Sequence, residues 1–150
     1  MKQYEPMTPR TQPEPRDAYR HFSTFSTRWM DNDAYGHLNN VVYYSLFDSV
    51  VNEYLIGAGA LDIQHGEVIG LVVESHCDYF EPIEFPHKVD AGLRVAHTGS
   101  SSVRYEIGVF AQGQPLTAAR GHFVHVYVDR ATRRPAAIPL NLSHALQGLS

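Results

Sequence analysis

Four stretches of this chain alternate apolar and polar residues with a period of two. From Val68 to Phe80 the pattern sets Ile69, Leu71, Val73, Ser75, Cys77 and Tyr79 on one face. From Val89 to His97 it groups Val89, Ala91, Leu93 and Val95, and from Val103 to Phe110 it groups Val103, Tyr105, Ile107 and Val109. Thr117 to Val128 makes a last long stretch after the break at Gly113-Gln114-Pro115. This periodicity predicts antiparallel strands with one face buried. Tyr19 to Trp29, rich in Phe, Thr and Ser and without a helical period, predicts one further strand near the start.

Residues 41 to 56 break the pattern. They contain no Gly or Pro, are preceded by Asn39 and Asn40 and are followed by Gly57. Asparagine caps a helix start because its side-chain oxygen takes a free backbone N–H, and glycine suits a helix end. Eleven of these sixteen residues are apolar or aromatic, which predicts a helix buried on more than one side and wrapped by the strands. The order is strand, helix, then four strands, so a doubly wound parallel sheet is disfavoured. Residues 133–150 read as a loop with a weak helical turn. Residues 1–17, with four prolines, read as an extended or disordered arm, and 18–150 as a single domain.

Composition narrows the function classes. The chain has 150 residues, 43% hydrophobic and 19% charged, the balance of a folded domain. A net charge of −4 argues against non-specific nucleic-acid binding, which needs a basic footprint. Cys77 is the single cysteine, so no intramolecular disulfide or multi-cysteine zinc site forms. No apolar run reaches the ~18 residues of a membrane span, and no signal-peptide layout opens the chain. The expectation is a cytoplasmic protein with no membrane partner.

Candidate chemistry concentrates in Asp31 to Asn40, where two carboxylates, a histidine, a glycine and three asparagines lead into the helix start. Free N–H groups and the helix dipole favour negative charge there, as on a carbonyl under attack. A nearby carboxylate supplies a base or nucleophile. Asp31, Asp33 and Asn39 equally suit plain turn and cap roles. The loop opens like a calcium-binding EF-hand, but Tyr35 stands at the fifth position, and Val42 occupies the twelfth, where a bidentate Glu is required. His122 and His125, three apart on a strand, point to opposite faces and cannot chelate one ion. No metal and no cofactor are expected. Cys77 reads as a buried structural thiol, and Arg94 and Arg104 as outward-facing. Gly57-Ala58-Gly59 follows a helix instead of opening one, so it is no dinucleotide loop.

The segment from Arg28 to Tyr43, with its D-x-D-x-x-G-H-x-N-N core at Asp31 to Asn40, resembles the acyl-CoA thioesterases of the 4-hydroxybenzoyl-CoA thioesterase type. That resemblance implies an α+β hotdog fold, an antiparallel sheet curled around one long central helix. It implies Asp33 as the catalytic carboxylate, either nucleophile or general base, and the backbone N–H of Asn40 as the group polarising the thioester carbonyl. Gly36 would allow close backbone approach, and Tyr43 would lie near the acyl group. His37 and Asn39 would contribute to binding or loop rigidity, and Ser101 and Ser102 would contact pantetheine. The His37-x-Asn39-Asn40 form resembles members with aliphatic acyl substrates. The family implies an acyl-CoA substrate and a homodimer or homotetramer with interface active sites. A non-catalytic module binding acyl-CoA or acyl carrier protein is the alternative reading of the same fold.

Overall fold

In a computed structural model, the residues described are Tyr4, Pro9 and 11–150. Five strands follow from the alternating stretches: β1 (His21–Phe25), β2 (Val68–Tyr79), β3 (Val89–Thr98), β4 (Ser102–Ala111) and β5 (Ala119–Asp129). They form one antiparallel sheet in the order β1-β3-β4-β5-β2, so β1 and β2 are its edges. The helices are α1 (Asn40–Gly57), between β1 and β2, and α2 (Leu140–Gln147) near the end of the chain. This is the α+β hotdog architecture. Among the described residues no helix is long and apolar enough to cross a membrane.

The helix lies across one face of the sheet. Tyr43, Phe47, Val50, Val51 and Leu55 are buried against Val89, Ala91, Leu93, Val103, Tyr105, Ile107 and Val109 from β3 and β4. These are the residues that the period-two pattern assigns to the inner faces of those strands. Phe47 sits over Gly121 of β5. A Cβ there would land on the His76 carbonyl oxygen and come within 2.6 Å of the Phe47 ring.

Three expectations need correction. The helix is not enclosed on several sides: Ser45, Asp48, Ser49 and Glu53 are exposed, as are Val41 and Ile56. A high apolar count therefore marked one broad contact face plus exposed apolar ends. Along β2, the proposed single face is split by a bulge at Val73, where the pairing with β5 jumps between Val72 and Glu74. Tyr79, Cys77 and Ser75 share the helix side with Val72 and Gly70, while Leu71 and Ile69 turn to the other side with His76 and Asp78. An extra residue reverses the parity of everything beyond it. The tail forms more than a weak turn, since Leu142, Leu146 and Leu149 are buried and the Tyr54 hydroxyl donates to the Ala145 carbonyl at 2.6 Å.

The N-terminal arm read over residues 1–17 lies partly outside the described residues. From Thr11 onward the chain lies along the outer face of the sheet. Thr11 donates to Asp78 at 2.6 Å, Glu14 pairs with Arg94 and Arg120, and Arg16 meets Asp90 at 2.9 Å. Arg94 and Arg104 do face outward, and both bond Glu106.

Helix-to-sheet packing through Gly121 gives a direct stability test. Gly121→Ala is expected to cost about 1–3 kcal/mol by overpacking, read as a lower midpoint in urea unfolding. An unchanged midpoint would contradict the close contact of α1 with β5.

Candidate active site

The loop between β1 and α1 is held in place by its own polar residues. Asp31 is buried, accepts the Arg28 backbone N–H at 2.8 Å and takes two bonds from the Arg28 guanidinium at 2.9 and 3.1 Å. The Asn32 side-chain oxygen accepts the Phe85 N–H at 3.1 Å. Leu38 is buried and its N–H donates to the Ile83 carbonyl at 2.7 Å. The loop is thereby fastened to the segment that follows β2.

Inside this frame Asp33 begins a tight turn. The His37 carbonyl accepts the Asp33 N–H at 2.8 Å, and the Asp33 carbonyl accepts the Gly36 N–H at 3.1 Å. Gly36 has φ of 87°, a left-handed value that glycine adopts without a Cβ clash. One carboxylate oxygen of Asp33 accepts the Tyr35 N–H at 2.8 Å, and the other lies 3.3 Å from His37 Nδ1. Asp31 is thus consumed by the scaffold, while Asp33 keeps a partly exposed carboxylate.

Helix α1 starts beside that carboxylate. The Asn39 N–H donates to the Asp31 carbonyl at 2.9 Å. The Asn39 side chain accepts the Val41 N–H at 3.0 Å, and its carbonyl accepts the Val42 N–H at 2.9 Å. Asn40, the first helical residue, has no acceptor for its own N–H among the described residues. An unclaimed donor at the positive end of a helix dipole is suited to an oxyanion.

Asp33, His37, Asn40 and Tyr43 line one open pocket of about 370 Å³, closed on the far side by Tyr79 to Pro82. The Tyr43 ring meets the Tyr79 ring edge-on at 5.0 Å. Burial pushes the Tyr43 hydroxyl and the Cys77 thiol each up to about 12 and raises Tyr79 as well, so these groups are neutral near pH 7. A half-buried, protonated Cys77 is a structural thiol.

Four of the eight sequence candidates therefore meet in one pocket. Gly36 and Asn39 shape its loop and helix cap. Ser101 and Ser102 lie elsewhere: Ser102 pairs with Val126, whereas Tyr79 pairs with Ala119. Seven residues along β5 separate those points, roughly 24 Å at the strand rise. Tyr79 and Glu81 escaped the sequence reading, because only the pairing of β2 with β5 brings the end of β2 to this loop. A larger cavity of about 600 Å³ lies beyond the 80–82 wall, with Glu81, Glu84 and His87 in its lining. Among the described residues no helix N-terminus lines it. Among the described residues no group of three or more His, Cys, Asp or Glu is placed to hold a metal ion.

Residues 27–146 match the model of the thioesterase-like superfamily. The chain is 56% identical to the PA5185 protein from Pseudomonas aeruginosa strain PAO1, with a TM-score of 0.90 over 93% of this chain and 97% of that one. Its fold is also that of Slr0204, a 1,4-dihydroxy-2-naphthoyl-CoA thioesterase from Synechocystis, with 15% identity, a TM-score of 0.77 and coverage of 84% and 94%. The BH1999 gentisyl-coenzyme A thioesterase is similar at 21% identity and a TM-score of 0.74, covering 84% and 99%.

The different surroundings of the two aspartates predict different consequences of mutation. Asp31→Asn is expected to lose about 1.5–3 kcal/mol of stability through its charged hydrogen bonds. Asp33→Asn is expected to stay within about 0.5 kcal/mol of wild type. Urea unfolding of both variants checks this, and equal losses would remove the distinction.

Proposed function

The chain belongs to the thioesterase-like superfamily, and from that premise we propose that it hydrolyses an acyl-CoA thioester to the free acid and CoA. The observation that carries this reading is that Asp33, with its partly exposed carboxylate, and Asn40, with its unclaimed N–H, line the same pocket. A thioester carbonyl gains little resonance from sulfur and is correspondingly electrophilic. With its oxygen on the Asn40 N–H, the charge of the tetrahedral intermediate develops against the helix N-terminus, where one donor of this kind is worth about 10²–10³ in rate.

Asp33 then acts in one of two ways. As nucleophile, its oxygen bonds to the carbonyl carbon, the CoA thiolate leaves, and water cleaves the resulting anhydride. As general base, it takes a proton from a water whose oxygen attacks the same carbon, and the thiolate again departs. His37, 3.3 Å from the second carboxylate oxygen, orients the group. The acyl part lies along α1 past Tyr43. The His37-x-Asn39-Asn40 form favours an aliphatic acyl group over the aryl groups named for the Synechocystis and BH1999 enzymes.

The site is completed in a homo-oligomer. Strand β2 is a twelve-residue edge with Leu71, Val72 and Val73 exposed. A long apolar edge invites pairing with another strand, and two-fold symmetry makes the pairing antiparallel. The Leu71 end of one β2 then approaches the Tyr79 end of the other. This supports Ser101 and Ser102 as pantetheine contacts supplied by the second copy.

Thiol release from short, long and aryl acyl-CoAs tests the activity. Wild type is expected to hydrolyse at least one ester and Asp33→Asn to lose about 100-fold or more. Tight acyl-CoA binding without turnover of any ester would overturn hydrolysis in favour of a binding module. Val73→Lys, which places a charge on the apolar edge, is expected to shift sedimentation toward monomer and lower activity with it. A fully active monomer would contradict an interface site.

A further inference from the structure

Among the described residues, no lysine or arginine lines the Asp33 pocket. Its one basic side chain is His37, which lies 3.3 Å from the Asp33 carboxylate. The guanidinium of Arg28, on the same loop, is bonded to Asp31. Glu81 belongs to the wall on the far side from Asp33. Its backbone is fixed there, because its N–H and that of Phe80 both donate to the Ala118 carbonyl, at 3.0 and 2.8 Å. Glu81 is exposed, and its side chain makes no hydrogen bond or ion pair among the described residues. The cavity of about 600 Å³ beyond this wall also has no lysine or arginine in its lining and adds Glu84.

An uncompensated charge of one sign selects what enters a cleft. A carboxylate at the end of an acyl group would meet like charge from Asp33 and Glu81, whereas a cation is attracted by both. The remaining walls suit one kind of cation. The Tyr43 and Tyr79 rings meet at 89° with centroids 5.0 Å apart, so one corner of the pocket is aromatic on two sides. Tyr79 keeps 39% of its surface exposed. Burial holds both hydroxyls neutral, so rings and not phenolates line the corner. A neutral aromatic face attracts a cation through its quadrupole, and alkylated ammonium groups are the cations most often held this way. A primary ammonium has three N–H donors to satisfy, and Glu81 is the one uncommitted carboxylate in this wall. A quaternary ammonium has none and needs only ring surface and a nearby negative charge.

We propose that Glu81, with Tyr43 and Tyr79, selects acyl groups that carry an alkylated ammonium group, which makes cationic acyl-CoA thioesters the preferred substrate class. This rests on the thioester-hydrolysis reading and names its substrate. Glu81 meets the cationic end of the acyl group and takes no part in bond cleavage.

The experiment compares two isosteric esters, 4-(trimethylammonio)butanoyl-CoA and 5,5-dimethylhexanoyl-CoA, which differ by a charged nitrogen in place of a quaternary carbon. The same pair one methylene shorter and one longer covers the spacing between the carbonyl and Glu81. Wild type is expected to favour the cationic ester of at least one pair by about 10-fold in kcat/KM, the joint effect of an aromatic face and one exposed carboxylate on a cation. In Glu81→Gln that ratio should fall about threefold, chiefly through the KM of the cationic ester, and in Glu81→Lys it should drop below one. Each ratio is taken within one protein, so a general loss of activity in a variant cancels. A second readout needs no variant: calorimetric binding to wild type of the two matching thioethers, in which methylene replaces the carbonyl. The cationic thioether is expected to bind about 10-fold more tightly. Turnover with no cationic preference in any pair, or a preference undiminished in Glu81→Gln, overturns the inference and leaves hydrolysis standing. No turnover of any acyl-CoA, with tighter binding of the cationic thioether, overturns hydrolysis and leaves the recognition site standing. No turnover and equal binding overturns both.

Discussion

Everything proposed for this chain depends on how its long helix begins. The first N–H groups of a helix have no intrahelical acceptors and must be satisfied from outside. Here Asn39 serves the N–H of Val41 through its side chain and that of Val42 through its carbonyl, while its own N–H is tied to the Asp31 carbonyl. The Asn40 donor stays available at the head of the helix. Because Leu38 is anchored on Ile83 and Asn32 on Phe85, that donor faces the end of β2 and the Asp33 turn together. Burial of Phe47, Val50 and Val51 against the sheet keeps the helix, and therefore the donor, in register with the strands.

Two aspartates one residue apart take opposite roles in this arrangement. Asp31 spends both oxygens on Arg28 and is buried, so it fixes the loop. Asp33 satisfies one oxygen on the backbone of Tyr35 and presents the other toward His37 and the pocket. Residue types alone do not separate them, since both are turn-forming carboxylates. Resemblance to a family pointed to Asp33, and the hydrogen bonds give a physical reason for that assignment.

The readable parts of the sequence were those governed by local periodicity. Strands β3 and β4 alternate from Val89 to Val95 and from Val103 to Val109, short of the irregularity between Val95 and His97, and the Asn39 cap and uninterrupted α1 follow from local residue preferences. Strand β2 was misread because Leu71, Val72 and Val73 are all apolar, so a bulge among them leaves no break in the pattern. The tail helix is only eight residues long and gains its order from Leu142 and Leu146 packing at a distance. Tyr79 and Glu81 joined the pocket through strand pairing, which no short window of sequence contains.

The central claim is that one pocket holds the thioester carbonyl on the Asn40 N–H with the Asp33 carboxylate beside its carbon. A crystal structure with an acyl-CoA analogue whose sulfur is replaced by methylene, giving a stable ketone, tests it most directly. The account predicts the ketone oxygen within hydrogen-bond distance of the Asn40 nitrogen and an Asp33 oxygen poised over the carbonyl carbon, about 3–3.5 Å away. A ketone bound with its oxygen away from the start of α1, or in the larger cavity beyond the 80–82 wall, would contradict it.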